Sequence, residues 1–167
     1  MTALLLALFL TGGLDATGQI AGVYPVAGLD RYHSSSASLG LGVGYTIGKA
    51  RAELGYRYTN LPGLQSSPYR LTMHQVCLTG SYPFVGSNTW AFEALAGGGL
   101  VFGQRTFGPG RETGRTGLAE IGLQFVQRSG KSRMAIGAAH DVLLDKGATG
   151  IGFHHIFSIR AGVGYVF

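Results

Sequence analysis

Charge is what this chain has least of. Asp, Glu, Lys and Arg make up 13% of its 167 residues, about half the usual globular share. So little charge means that most of the surface is hidden, either in a core or in lipid. Lysine is scarcest: Lys49, Lys131 and Lys146 are the only three, and all fall in turn-like or loop-like sequence. The single cysteine, Cys77, excludes an intrachain disulfide. No base is placed beside it, so it reads as a small apolar strand residue rather than a nucleophile. The apolar run over residues 4–10 is too short to cross a bilayer as a helix. The net charge of +5 is modest and the arginines are dispersed, which argues against nucleic acid as a partner.

What the chain has instead is alternation. Over residues 153–167, one set is Phe153, His155, Phe157, Ile159, Ala161, Val163, Tyr165 and Phe167. The other is His154, Ile156, Ser158, Arg160, Gly162, Gly164 and Val166. A period of two puts each set on one face of a strand. One face is apolar with aromatics at both ends, and the other is small or polar around an arginine. The same pattern predicts strands over 19–26, 38–47, 51–59, 70–82, 89–103, 116–127 and 133–143. In the second of these, Leu39, Leu41, Val43, Tyr45 and Ile47 oppose Gly40, Gly42, Gly44 and Thr46. The strand over 70–82 has mixed parity: Val76, Leu78 and Tyr82 against Leu71 and Met73. A β-bulge would reconcile the two sets. Connections alternate long and short, with long loops expected over 28–36, 60–69, 104–115 and 144–152.

The terminal Tyr165-Val166-Phe167 on an alternating strand resembles the closing strand of small OmpA/OmpX-like outer-membrane barrels and opacity proteins. The resemblance implies an all-β fold, an eight-stranded antiparallel up-and-down transmembrane β-barrel. It also implies that both termini lie in the periplasm, and that Val163, Tyr165 and Phe167 form the signal read by the barrel-assembly machinery. Residues 1–18 read as a signal peptide, with Ala16 and Gly18 spaced for cleavage before Gln19 and cleavage after Ala16 as the other option, and residues 19–167 as the barrel domain; the alternative reading of the start is an N-terminal buried segment. Strands of about ten residues suit a tilted bilayer crossing.

Soluble eight-stranded barrels put apolar residues inside and charge outside. Here the strand charges share the small-residue face: Arg51, Glu53, Arg57, Glu93, Glu120, Arg133, Asp141 and Arg160. Four acids and four arginines can pair internally, and their glycine neighbours leave room across a narrow lumen. The expected arrangement is therefore lipid outside and an ion-pair network inside, with the lumen too full for a large pore. Two aromatic girdles are expected: Tyr82, Trp90, Phe125, Tyr165 and Phe167 at the periplasmic rim, Tyr58, Tyr69, Phe102 and Phe153 at the outer one.

Two further readings concern chemistry. A lipid-A hydrolase of the deacylase kind would draw on His140, Asp141, His154, His155 and Ser158. His154 and Ser158 share a face, but four residues of strand hold them roughly 13 Å apart, beyond hydrogen-bond reach. The favoured reading is non-enzymatic, without cofactor. His140, His154 and His155 have mixed facing, which suits interfacial side chains better than a metal site. The loops offer Arg31, Tyr32, Arg105, Phe107, Arg111 and Arg115 as recognition residues, since exposed Arg and aromatics favour binding surfaces. Expected partners are outer-membrane lipids and lipopolysaccharide, the assembly machinery, and an extracellular protein or host ligand. The role is structural, or interaction through the loops.

Overall fold

The computed structural model describes residues 13–64, 69–147 and 150–167. The apolar run over 4–10, the middle of the connection over 60–69 and the tip of that over 144–152 lie outside the described residues. Eight strands follow in order: β1 (Gly13–Val26), β2 (Ser36–Ile47), β3 (Ala50–Leu61), β4 (Tyr69–Gly86), β5 (Trp90–Phe107), β6 (Gly110–Ser129), β7 (Ser132–Gly147) and β8 (Gly150–Val166). Each pairs antiparallel with the next, and β1 pairs β8 from Asp15↔Val166 to Val26↔His155, so the sheet closes into a barrel. Where all eight strands overlap, closure leaves no free sheet edge, which a hydrocarbon environment demands; beyond that wall, residues 110–116 of β6 pair with β5 alone.

Turn chemistry sets the registers at the end that carries the termini. Gly48-Lys49 joins the pair Ile47↔Ala50, and Gly130-Lys131 joins Ser129↔Ser132. Gly48 and Gly130 have φ of +58° and +57°, as a two-residue hairpin of matching twist requires. At the opposite end, the first connection is a loop, and the described part of the second, 62–64, lies outside the strands. The third, expected as a loop over 104–115, is instead a β-hairpin: β5 and β6 stay paired out to Phe107↔Gly110, around Gly108-Pro109. β7 and β8 likewise pair out to Gly147↔Gly150. Polar strand above a barrel carries no apolar alternation, so it reads as loop in the sequence.

Strand boundaries differ at the start as well. β1 begins at Gly13, six residues before the expected Gln19, and Gly13 to Gly18 pair with β2. The barrel therefore includes residues assigned from the sequence to the signal peptide. In β4 no bulge separates the two parities: the ladder with β3 is regular from Arg51↔Ser81 to Leu61↔Leu71. The irregularity lies further on, between Pro83 and Val85. Val76, Leu78 and Tyr82 point outward, while Met73 and Cys77 are buried in the lumen.

Sidedness is as the alternation implies. Leu41, Ile121 and Val163 on the outer face are 69%, 62% and 62% exposed. Lumen-facing glycines make room for charge. A Cβ on Gly44 would lie 2.1 Å from Arg51 Nη2, and one on Gly42 would lie 2.8 Å from Glu53 Oε1. Near the terminus end, aromatics cluster on the outer face: Trp90 stacks on Phe125 and contacts Phe92, and Tyr165 meets Phe167 edge-on. Phe84, which the sequence reading did not single out, packs on Phe92.

Candidate functional site

The lumen has two chemically distinct parts. From the terminus end to the middle it is ionic. Arg51 donates to both carboxylate oxygens of Asp15, at 2.9 and 2.5 Å, and to Glu53 at 2.6 Å. Arg128, Arg133 and Gln124 all donate to Glu93, the last at 2.7 Å. Arg57 and Arg160 share Glu120 and Asp141, with Arg160 Nη1 at 2.9 Å from Glu120 and its Nη2 at 3.1 Å from Asp141. All eight charges expected in the interior are thus joined in ion pairs. The sequence reading missed Asp15, because that residue was placed in a signal peptide. The network leaves a cavity of only about 70 Å³.

Toward the loop end the filling becomes apolar. Val23, Leu61, Met73, Val101, Leu118, Leu143 and Ile156 form one buried cluster, and Leu29 from the β1–β2 loop packs onto it. That loop turns back through Ala27 and Gly28, with φ of +45° and +106°. It is tied to the β3–β4 connection by Ser34 N–H to the Pro62 carbonyl (3.0 Å) and Leu64 N–H to the Tyr32 carbonyl (3.1 Å). The lumen is therefore sealed from above by a laced loop with a leucine plug.

Above the seal lies a vestibule of about 400 Å³. Gly28, Leu29, Tyr32 and His33 of the first loop form its floor and one side. Tyr69 of β4, Arg105 and Phe107 of β5, Glu112 of β6 and His154 of β8 form the walls. These wall residues sit at lumen-facing positions of strands that continue past the seal. Tyr69, placed in the outer girdle from the sequence, belongs to this inner wall. Its ring meets Tyr32 and Phe107 edge-on, with centroids 6.4 and 5.9 Å apart. Arg105 stands directly opposite Glu112 in the ladder, yet neither makes an ion pair among the described residues. His33 is 4% exposed, and its Nδ1 has no hydrogen-bond partner. Burial pushes the His33 pKa below its usual value, and the Arg105 charge pushes the same way, partly offset by the Pro62 and Leu61 carbonyls.

Of the six loop residues singled out from the sequence, Tyr32, Arg105 and Phe107 line the vestibule. Arg31 is exposed beside it. Arg111 and Arg115 stand opposite Thr106 and Phe102, on the outward face of the hairpin, and Arg111 bonds Gln104 there. Glu112 and His154 were not grouped with them, since only the strand registers bring them to the same wall.

The hydrolase candidates are dispersed. Ser158 Oγ donates to the Ala139 carbonyl at 3.4 Å and accepts from Arg160 Nε at 2.9 Å, deep in the lumen. Asp141 is held by two arginines. His140 and His155 stack on the outer face, with Nε2 and Nδ1 3.1 Å apart. Among the described residues, no group of three or more His, Cys, Asp or Glu is placed to hold a metal ion.

An apolar exterior, a closed antiparallel ladder and a filled lumen give this chain the fold of small eight-stranded outer-membrane barrels. Solved structures agree. Neisserial surface protein A aligns at TM-score 0.74 and 13% identity, over 92% of this chain and 97% of that one. The N-terminal β-barrel domain of Pseudomonas aeruginosa OprF aligns at 0.55 and 14%, over 93% and 99%. Ail, the attachment invasion locus protein of Yersinia pestis, aligns at 0.55 and 11%, over 93% and 97%. No family model and no curated protein matches the sequence.

Proposed function

We propose that this chain is an integral outer-membrane protein without enzymatic activity, acting at the cell surface through the vestibule and the hairpin that walls it. In this reading the termini and the tight turns lie in the periplasm. Val163 and Tyr165 of β8 and Phe167 just after it, all exposed, are the residues presented to the assembly machinery. Arg111 and Arg115, outward opposite Thr106 and Phe102, are in this reading the groups offered to lipopolysaccharide phosphates, which guanidinium groups bind well. The observation that carries the reading is the contrast between a sealed lumen and an open vestibule. Ion pairs and the apolar cluster fill the lumen and leave a cavity of only about 70 Å³ among the charges, whereas the loop end presents Arg105 and Glu112, without an ion pair among the described residues, beside three aromatic rings.

Two measurements test it. On intact cells, a protease site placed at Pro109 should be cut, while one placed at Lys131 should be protected; the reverse pattern would overturn the orientation. In planar bilayers the refolded protein should show no steady conductance, and large sustained openings would contradict the sealed lumen.

A further inference from the structure

We infer that the vestibule is a binding site for a zwitterion of the phosphocholine type, a phosphate joined through two carbons to a quaternary ammonium. The inference rests on the surface role just proposed and names the chemistry of its site. Three features combine. First, among the described residues the vestibule lining holds one cation and one anion without an ion pair, Arg105 and Glu112, set opposite each other by the β5–β6 register. A site for a simple anion gains nothing from the glutamate, and a site for a simple cation gains nothing from the arginine. A ligand with both charges a short distance apart answers both. Second, Tyr32, Tyr69 and Phe107 form a continuous run of edge-to-face rings. Aromatic faces hold quaternary ammonium groups through cation–π attraction, and a carboxylate beside them adds to it. The guanidinium takes the phosphate in a charge-assisted, two-pronged contact. Third, His33 Nδ1 at the floor is buried without a hydrogen-bond partner among the described residues, an orphaned polar atom of the sort that a ligand or its bound water satisfies. The volume of about 400 Å³ falls in the range of small-ligand sites.

The headgroup could come from a choline lipid or from a soluble or glycan-borne phosphocholine, and the chemistry at the site is the same. The test is calorimetric titration of the full chain, refolded in a maltoside detergent free of choline. Phosphocholine should bind saturably. Choline chloride and glycerol phosphate should each bind at least about tenfold more weakly, since each forfeits one charge-assisted contact. Arg105→Gln and Glu112→Gln should each weaken phosphocholine by at least about tenfold, with heat-modifiable gel mobility unchanged as the control for folding. Tighter binding of glycerophosphocholine than of phosphocholine would point to the lipid source, and equal or weaker binding to the soluble one; either sustains the proposal. It is overturned if phosphocholine does not saturate, if glycerol phosphate or choline alone binds as tightly, or if Glu112→Gln leaves the affinity unchanged. The titration needs no cell surface, so its failure is distinct from failure of the protease-site experiment.

Discussion

The two halves of the lumen occupy the same kind of space and fill it with opposite chemistry. Near the termini, Asp15, Glu93, Glu120 and their arginines are buried as ions. Near the loops, Leu61, Met73, Val101 and Ile156 are buried as hydrocarbon, at 0–1% exposure. Both halves block the lumen, so blockage alone does not explain the ions. A buried ion pair gains little net stability over a well-packed apolar substitute, because desolvation offsets the attraction. What differs is tolerance of error. A buried charge that loses its partner is left uncompensated, whereas an apolar side chain in the wrong place forfeits only packing. The ionic half therefore penalises a shifted register more heavily than the apolar half does, because Glu93 must meet Arg128 and Arg133 from two other strands.

The largest expected effect comes from breaking the ionic half at one point. Glu93→Leu leaves Arg128 and Arg133 without their carboxylate and should cost about 3–5 kcal/mol, read from urea unfolding in lipid vesicles. A loss below about 1 kcal/mol, the worth of an exposed pair, would mean that water enters and screens the lower lumen. Next is the contrast between inside and outside. Leu41→Arg puts a charge on the lipid face and should cost about 2–4 kcal/mol if it sits near the bilayer midplane, while a neutral result would place that face in water. The apolar half should be more forgiving. Ile156→Val removes one methylene from the cluster and should cost about 0.5–1.5 kcal/mol. A loss as large as that of Glu93→Leu would erase the distinction between the halves.

The sequence made the wall of the barrel legible and its upper contents illegible, for one reason. Alternation identifies which residues share a face, and charge identifies which face is inside, so Arg51, Glu93 and Arg160 were placed correctly. The inference fails where the inside is apolar too. Leu71 and Met73 seemed to break the parity of their strand, and a bulge was needed only because apolar was equated with outward. Asp15 was missed because a short apolar segment followed by small residues has the composition of a cleavable leader, and nothing local marks one aspartate as the partner of Arg51, thirty-six residues on. The vestibule was half seen. Arg105 and Phe107 stood out as exposed types, but Glu112 joins them only once 104–115 is recognised as a paired hairpin. Hydrophobic periodicity cannot report that, because strands projecting beyond the lipid carry no apolar face.

The smallest expected effect bears on the boundary between the two regions above the ions, the loop that separates the apolar cluster from the vestibule. His33 anchors it through its backbone N–H to Leu29 and its bridge to Gly63. Its pKa is held below the ordinary value of 6.5, chiefly by burial. A histidine with a depressed pKa is neutral in the folded loop and takes up a proton more readily when the loop opens. Its contribution to closure is therefore complete above about pH 6.5 and declines as pH falls from there toward the folded-state value. Hydrogen exchange of the Ser34 and Leu64 amides, both bonded across to the neighbouring segment, should accelerate on acidification once corrected for the intrinsic pH dependence of exchange. The amides of the β5–β6 ladder below the seal, with no such histidine, should show no extra acceleration. In His33→Asn the excess at Ser34 and Leu64 should vanish, because asparagine has no proton to take up. An excess that persists in the variant would show that a group other than His33 carries the pH response of the loop that holds the leucine plug.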